Sequence, residues 1–330
     1  MNTNNKEASF LNEEATHITK LDLKQQPAGT IQKYWFHLVT DGIGQAINIP
    51  IMVAKGAEEG GVLGVTAAVH GNELNGIPVI QRLFREIDPL SLKGTIIAIP
   101  VVNVPSYLRK RRRFIDETDL NHIMPGIENG NVSEVYAFRF FDRLALQFDF
   151  LIDLHTASFG RINSYYIRAD LKDPITRKMA FLQNGQIVVH KPASDGTLRG
   201  AADAAGIPSV TIEVGDPNTF QKGMIRSSLT GVHNFLIYQG MLDGTIDEPT
   251  TPPVVCKSSY WLYTDTGGIL RVDPNITKMV EKGQVIASLH DIFGKLIKEY
   301  RAPEAGIIIG KNIHPVAQTG SRILHLGILK

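Results

Sequence analysis

The sequence predicts an α/β protein on a largely parallel sheet flanked by helices, followed by a small all-β domain. Three observations carry that prediction. Between about residues 35 and 252, near-continuous apolar runs alternate with segments of helical period, as expected for strands buried on both faces and joined by helices. Several of those runs finish on an ionisable residue. Beyond the Thr/Pro cluster at Thr250–Pro253, the helical period stops and short strand-like runs with glycine turns take over.

Taken in order, residues 1–34 are polar with no clear period and form a tail or an edge element. They lack the apolar core of a secretory signal. "VLGVTAAV" (Val62–Val69) is a buried strand, and Ile77, Ile80, Leu83, Phe84 and Ile87 then recur at helical spacing. "GTIIAIPVVN" is a second buried strand ending at Asn103, "EVYAFRFFDRLALQF" a helix, and "DFLIDLH" a strand that finishes on His155. "AADAAG" closes a helix, "IPSVTIEVG" is a strand reaching Glu213, and "RSSLTGVHNFLIYQGML" is a further helix. Residues 253–330 supply "GGILRVD", "KGQVIASLHD", "EYRAPEAGIIIG" and "SRILHLGIL", with no helical pattern. The division expected is an α/β domain over 35–252 and a β domain over 253–330.

Composition removes several function classes. Of 330 residues, 43% are apolar and 20% charged, ordinary values for a soluble globular chain. The net charge of +1 gives no overall field toward nucleic acid or an anionic membrane. The basic run "RKRRR" (Arg109–Arg113) is local and has no interleaved aromatics, so a solvated loop is favoured over a nucleic-acid patch. The single cysteine, Cys256, excludes an intramolecular disulfide and a thiolate metal site. No apolar run approaches the ~20 residues that span a bilayer. A cytoplasmic protein is expected, with no nucleic-acid or membrane partner.

Chemistry concentrates at strand ends. In open α/β sheets, ligand sites form beyond the carboxyl ends of the strands. Three runs deliver His70, His155 and Glu213 there, and Glu73 follows at the start of the next helix. A lone H-x-x-E is a weak signal. His155 alone is equally a strand-end histidine with a satisfied hydrogen bond, and Glu213 equally a partner for a surface lysine. The four together favour a metal site, since two imidazoles and a carboxylate make a catalytic zinc set with its fourth position open. Glu213 is then free to act as general base. Asp153, two residues before His155, is a candidate to orient that imidazole or to fix the loop. Tyr165 and Tyr166 read as packing residues, and His190, His233, His290, His314 and His325 receive no role.

"HGNELNG", the Asp-Leu-Asn at Asp119–Asn121, "DLHTASFGR" (Asp153–Arg161) and "TIEVG" (Thr211–Gly215) occur in this order. Together they resemble the succinylglutamate desuccinylase/aspartoacylase family, a branch of the zinc carboxypeptidase-like fold, over about residues 35–330. The resemblance implies His70, Glu73 and His155 as ligands of one Zn2+ per chain and Glu213 as the catalytic glutamate. It implies cleavage of the amide of a small N-acylated amino acid or related amide. The family's arginine before Asp-Leu-Asn corresponds to Arg113, with Arg112 the close alternative, and would face the oxyanion. Asn121 matches a residue that contacts the substrate carboxylate. The family's next residue is usually arginine, and here it is His122, which cannot reproduce a bidentate arginine fork. Arg161 is the candidate to supply that charge. A metallocarboxypeptidase is the alternative, weakened by the same loss, and esterase chemistry on the same zinc is another. A silent binding protein is the rival of a different class, and it has no chemical need for Glu213. The C-terminal stretch resembles half of a biotinyl/lipoyl-like barrel. It lacks Met-Lys-Met around Met279, so no prosthetic group is expected; packing, a pocket wall or homo-oligomer contacts are.

Overall fold

A computed structural model describes residues 14–194 and 196–329. Residues 1–13 of the expected tail lie outside them. The chain runs β1 (Thr16–Ile18), β2 (Thr30–Thr40), β3 (Ala46–Lys55), β4 (Glu58–Ala67), α1 (Gly76–Glu86), β5 (Lys93–Ile99) and α2 (Val104–Leu108). It continues through α3 (Val132–Arg143), β6 (Phe150–His155), β7 (Arg161–Asn163), β8 (Tyr165–Ala169), α4 (Pro174–Leu182), β9 (Ile187–His190), α5 (Leu198–Ala204), β10 (Ser209–Val214) and α6 (Lys222–Tyr238). Strands alone follow among the described residues: β11 (Val254–Tyr263), β12 (Gly268–Val272), β13 (Met279–Val280), β14 (Val285–His290), β15 (Leu296–Arg301), β16 (Gly306–Asn312), β17 (Val316–Ala317) and β18 (Arg322–Leu329).

One mixed sheet of 14 strands holds the order β1-β2-β3-β5-β4-β6-β10-β8-β9-β11-β18-β16-β13, with β7 pairing β16. Its centre, β5-β4-β6-β10, is parallel. Successive residues there point to opposite faces: Ile96 and Ile152 join the core under α1, α4 and α6, while their neighbours Ile97 and Leu151 join the core under α3 and α5. Burial on both faces explains the near-continuous apolar runs. Strands β15, β14, β12 and β17 form a separate sheet over a third apolar cluster. Among the described residues, no helix is long and apolar enough to cross a membrane.

The structure corrects several boundaries. Strand β4 stops at Ala67 rather than Val69, because Ala68 takes a left-handed φ of 49° that breaks the extended chain. His70 and Glu73 therefore occupy a turn, and α1 begins only at Gly76. Strand β5 stops at Ile99, and Asn103 caps α2, its side chain accepting from Ser106 N–H. Strands β2, β3, β8 and β9 and helix α4 had no counterpart in the sequence reading. Most of β2 is only half-buried, which blurs its alternation.

Candidate active site

The parallel strands β4, β6 and β10 open on one edge of the sheet, and their ends bring the site together. Residue pairing sets Glu213 of β10 directly beside His155 of β6. The turn after β4 carries His70 and Glu73, and Gly71 lets it lie flat on α2: a Cβ there would come within 2.2 Å of the Ser106 carbonyl carbon. Ligand atoms of His70, Glu73 and His155, all buried, lie within 4.8 Å of one another.

Glu73 bridges the two imidazoles. Its Oε2 lies 2.9 Å from His155 Nδ1 and accepts Thr156 N–H at 3.1 Å. Its Oε1 lies 3.0 Å from His70 Nδ1, yet the angles are not those of a hydrogen bond, and that buried nitrogen has no other partner. Both rings are gripped from behind through Nε2. His70 Nε2 is 2.9 Å from Asp119 Oδ1, and His155 Nε2 is 2.7 Å from Asp153 Oδ2. Asp153 is itself fixed by Thr66 Oγ1, which donates to Oδ1 at 2.7 Å. Metal-ligating histidines are oriented in this way, the rear nitrogen on a carboxylate; of the two front nitrogens, His155 Nδ1 meets Glu73 and His70 Nδ1 is left without a hydrogen bond. An orphaned Nδ1 facing a shared carboxylate fits a zinc-type cation.

The electrostatics follow from burial and pairing. Burial pushes the Glu73 carboxyl up, but His70 and His155 outweigh it and hold Glu73 well below the usual range. Burial opposes protonation of His155, while Asp153 and Glu73 outweigh it and raise the imidazole well above its ordinary value. For Asp119, burial is overcome by His70 and Arg112, and the carboxyl sits far below normal. Each shift marks a site that favours positive charge at its centre.

The two candidate arginines both line the cavity but contact different groups. Arg112 enters the cluster: Nη1 donates to Glu73 Oε1 at 2.7 Å and to Ser158 Oγ at 2.5 Å, and Nε donates to Asp119 Oδ2 at 3.0 Å. Arg113 instead donates to the Glu117 carbonyl at 3.3 Å. Ser106 Oγ holds the Arg113 carbonyl at 2.6 Å, fixing the turn so that the two side chains diverge.

Glu213 is buried; its Oε2 accepts from Asn163 Nδ2 at 3.0 Å, and its Oε1 lies 2.7 Å from Arg168 Nη2. Arg168 also donates through Nε to Tyr166 Oη at 3.1 Å. Asn163, Tyr166 and Arg168 were missed in the sequence. Tyr165 packs as expected, donating to the Gln183 carbonyl, whereas Tyr166 lines the site. Asn121, His122 and Arg161 line the same cavity of about 500 Å3, joined by Lys191, Trp261 and Arg322. The Asn121 Oδ1 accepts from Leu198 N–H at 2.7 Å, tying its turn to α5. His122 is exposed at the rim.

The succinylglutamate desuccinylase/aspartoacylase catalytic domain matches residues 59–239. The N-alpha-acetyl-L-2,4-diaminobutyric acid deacetylase of Halomonas elongata is 25% identical over 291 residues, covering 84% of this chain and 85% of that protein. A succinylglutamate desuccinylase of Pseudomonas paraeruginosa is 33% identical over 114 residues, 32% of this chain and 34% of that one. Among solved structures, a succinylglutamate desuccinylase from Silicibacter superposes with a TM-score of 0.82 at 22% identity, covering 93% of this chain and 98% of that one. The product-bound ectoine utilization protein EutE of Ruegeria pomeroyi gives 0.82 at 22% identity, over 92% and 98%. These structural likenesses establish the fold.

Proposed function

The chain belongs to the succinylglutamate desuccinylase/aspartoacylase family, and on that premise we propose that it is a zinc-dependent deacylase of a small N-acyl amino acid or related amide in the cytoplasm. The observation that carries this reading is the buried His70–Glu73–His155 cluster, with each imidazole backed by its own carboxylate. His70, Glu73 and His155 would hold the ion. Zinc, when bound there, supplies Lewis acidity to the acyl carbonyl and lowers the pKa of water. Glu213, on the strand beside His155, takes the proton of the attacking water and returns it to the departing nitrogen. Asn163 and Arg168 fix its two oxygens, so the carboxylate acts from one position. Arg112 presents a fixed cation to the oxygen that gains charge as water adds. Residues 35–252 carry this chemistry, and residues 253–330, the segment resembling half a biotinyl/lipoyl-like barrel, wall the cavity.

Elemental analysis paired with hydrolysis of N-acetyl, N-succinyl and N-formyl amino acids, before and after chelation, tests the reading. About one zinc per chain with chelator-sensitive turnover is expected. Zinc binding with hydrolysis unchanged in Glu213→Gln would overturn the assigned base.

A further inference from the structure

Tyr166 is packed as an apolar residue but carries a hydroxyl into the active site. Its ring is fully buried among Ile187, Val189, Cys256 and Ile307. It stands edge-on to His325, whose Nε2 is 2.8 Å from Ser259 Oγ. A phenylalanine would pack there equally well, so the oxygen needs its own reason. Strand pairing supplies one: Tyr166 of β8 is directly opposite Glu213 of β10, which is in turn opposite His155 of β6. Residues opposite one another share a face of the sheet, so ligand, base and phenol form one row. Arg168, two residues along β8, shares that face as well.

Among the described residues, the Arg168 side chain donates both of its hydrogen bonds to the phenol. Nε donates to Tyr166 Oη at 3.1 Å, and Nη2 donates to the same oxygen at 2.5 Å. That Nε–Nη2 edge is the fork with which an arginine grips both oxygens of a carboxylate. Glu213 Oε1 is only 2.7 Å from Nη2 but lies off the N–H direction, so it feels the charge without accepting a hydrogen bond. Its partner Oε2 accepts from Asn163. Burial outweighs the neighbouring Arg168 charge and pushes the Tyr166 phenol up, so the phenol stays a neutral acceptor.

We propose that Tyr166 is a positioning residue: it occupies the Arg168 fork and so leaves Glu213 Oε1 as the oxygen that takes the proton of the attacking water. The inference rests on the deacylase reading, which makes Glu213 the base, and adds which oxygen acts and what keeps it free. Without the phenol oxygen the fork closes on Oε1 and ties up its lone pair.

Tyr166→Phe keeps the ring and removes the oxygen. In the zinc-loaded protein, kcat for a hydrolysed N-acyl amino acid should fall about tenfold or more while KM stays within about twofold. In an Arg168→Lys background there is no fork to redirect, and the same substitution should cost about twofold or less. Equal losses in both backgrounds would mean that the ring only packs, and no loss in the parent would mean that the fork avoids Glu213 unaided; either overturns the proposal. Urea unfolding checks that each variant folds, and Arg168→Gln replaces the lysine variant if that one does not. A second readout needs no turnover: the Nε–H resonance of Arg168, assigned by its loss in Arg168→Lys. Adding Glu213→Gln should shift it more in Tyr166→Phe than in the parent, because only there does Nε face the carboxylate. Equal shifts would overturn the proposal. A protein that hydrolyses no N-acyl amide yet shows the unequal shifts sinks the deacylase reading and retains the fork held by Tyr166.

Discussion

Asp119 and Asp153 touch the rear nitrogens of His70 and His155, and their removal separates holding a ligand from being one. Asp119→Asn or Asp153→Asn keeps the side-chain size but loses the charge that orients the ring. Zinc affinity should fall about 10- to 100-fold, read by competition with a chromophoric chelator, while circular dichroism stays the same. Equal affinity in both variants would show that the carboxylates only fill space. Arg112→Gln should lower kcat about 100-fold by removing the cation beside the developing oxyanion, with a far smaller loss in Arg113→Gln; the reverse ranking would restore the order implied by the motif. At this scale, His70, Glu73, His155 and Glu213 were legible because each interrupts or ends an apolar run. Arg168 and Asn163 were not: they come from β8 and the end of β7, short segments whose period is hidden and whose place in the sheet is set by distant partners. The choice between Arg112 and Arg113 was equally hidden, because one Ser106–Arg113 hydrogen bond sets the direction of an irregular turn.

The turn between β4 and α1 is the element on which the metal set depends. It leaves the sheet through the left-handed Ala68 and crosses α2 at Gly71, where the nearest atoms to an added Cβ are backbone and cannot swing aside. Gly71→Ala therefore has to push α2 or the turn itself. A loss on the order of 1–3 kcal/mol in urea unfolding is expected, with zinc affinity weakened as His70 and Glu73 shift together. Stability and zinc binding equal to the parent would mean that the turn has slack. The buried central strands and α1, α3 and α6 were readable from the sequence because burial on both faces, or a one-sided stripe, leaves a simple pattern. Strands β2 and β3, close to one end of the large sheet, leave a weaker one. They pair antiparallel with each other, and β3 with β5, at a register that no local pattern encodes.

Across the whole molecule, the large sheet does not stop at the Thr/Pro cluster: β11 pairs with β9 in parallel and carries β18 and β16 beyond it. The C-terminal segment thus lends the cavity Trp261 and Arg322, and behind them it buries an imidazole in a field of arginines. His325 is 6% exposed, and its Nδ1 has no partner. Burial first, then Arg168, Arg161, Lys191 and Arg322, drive its pKa down to about 3. In the unfolded chain an imidazole titrates near 6.5. Below that pH the unfolded state takes a proton that the folded state refuses until about pH 3. The contribution of neutral His325 is therefore complete above about pH 6.5 and is lost as the pH falls. Between about pH 6.5 and 4 the loss is on the order of 3 kcal/mol. His325→Gln cannot titrate and keeps a polar atom for Ser259, so the variant should lose less stability over that interval than the parent. Urea midpoints at matched pH values measure the difference, and the acid response of every carboxylate cancels between the two proteins. Parallel curves would mean that His325 takes its proton in the folded state.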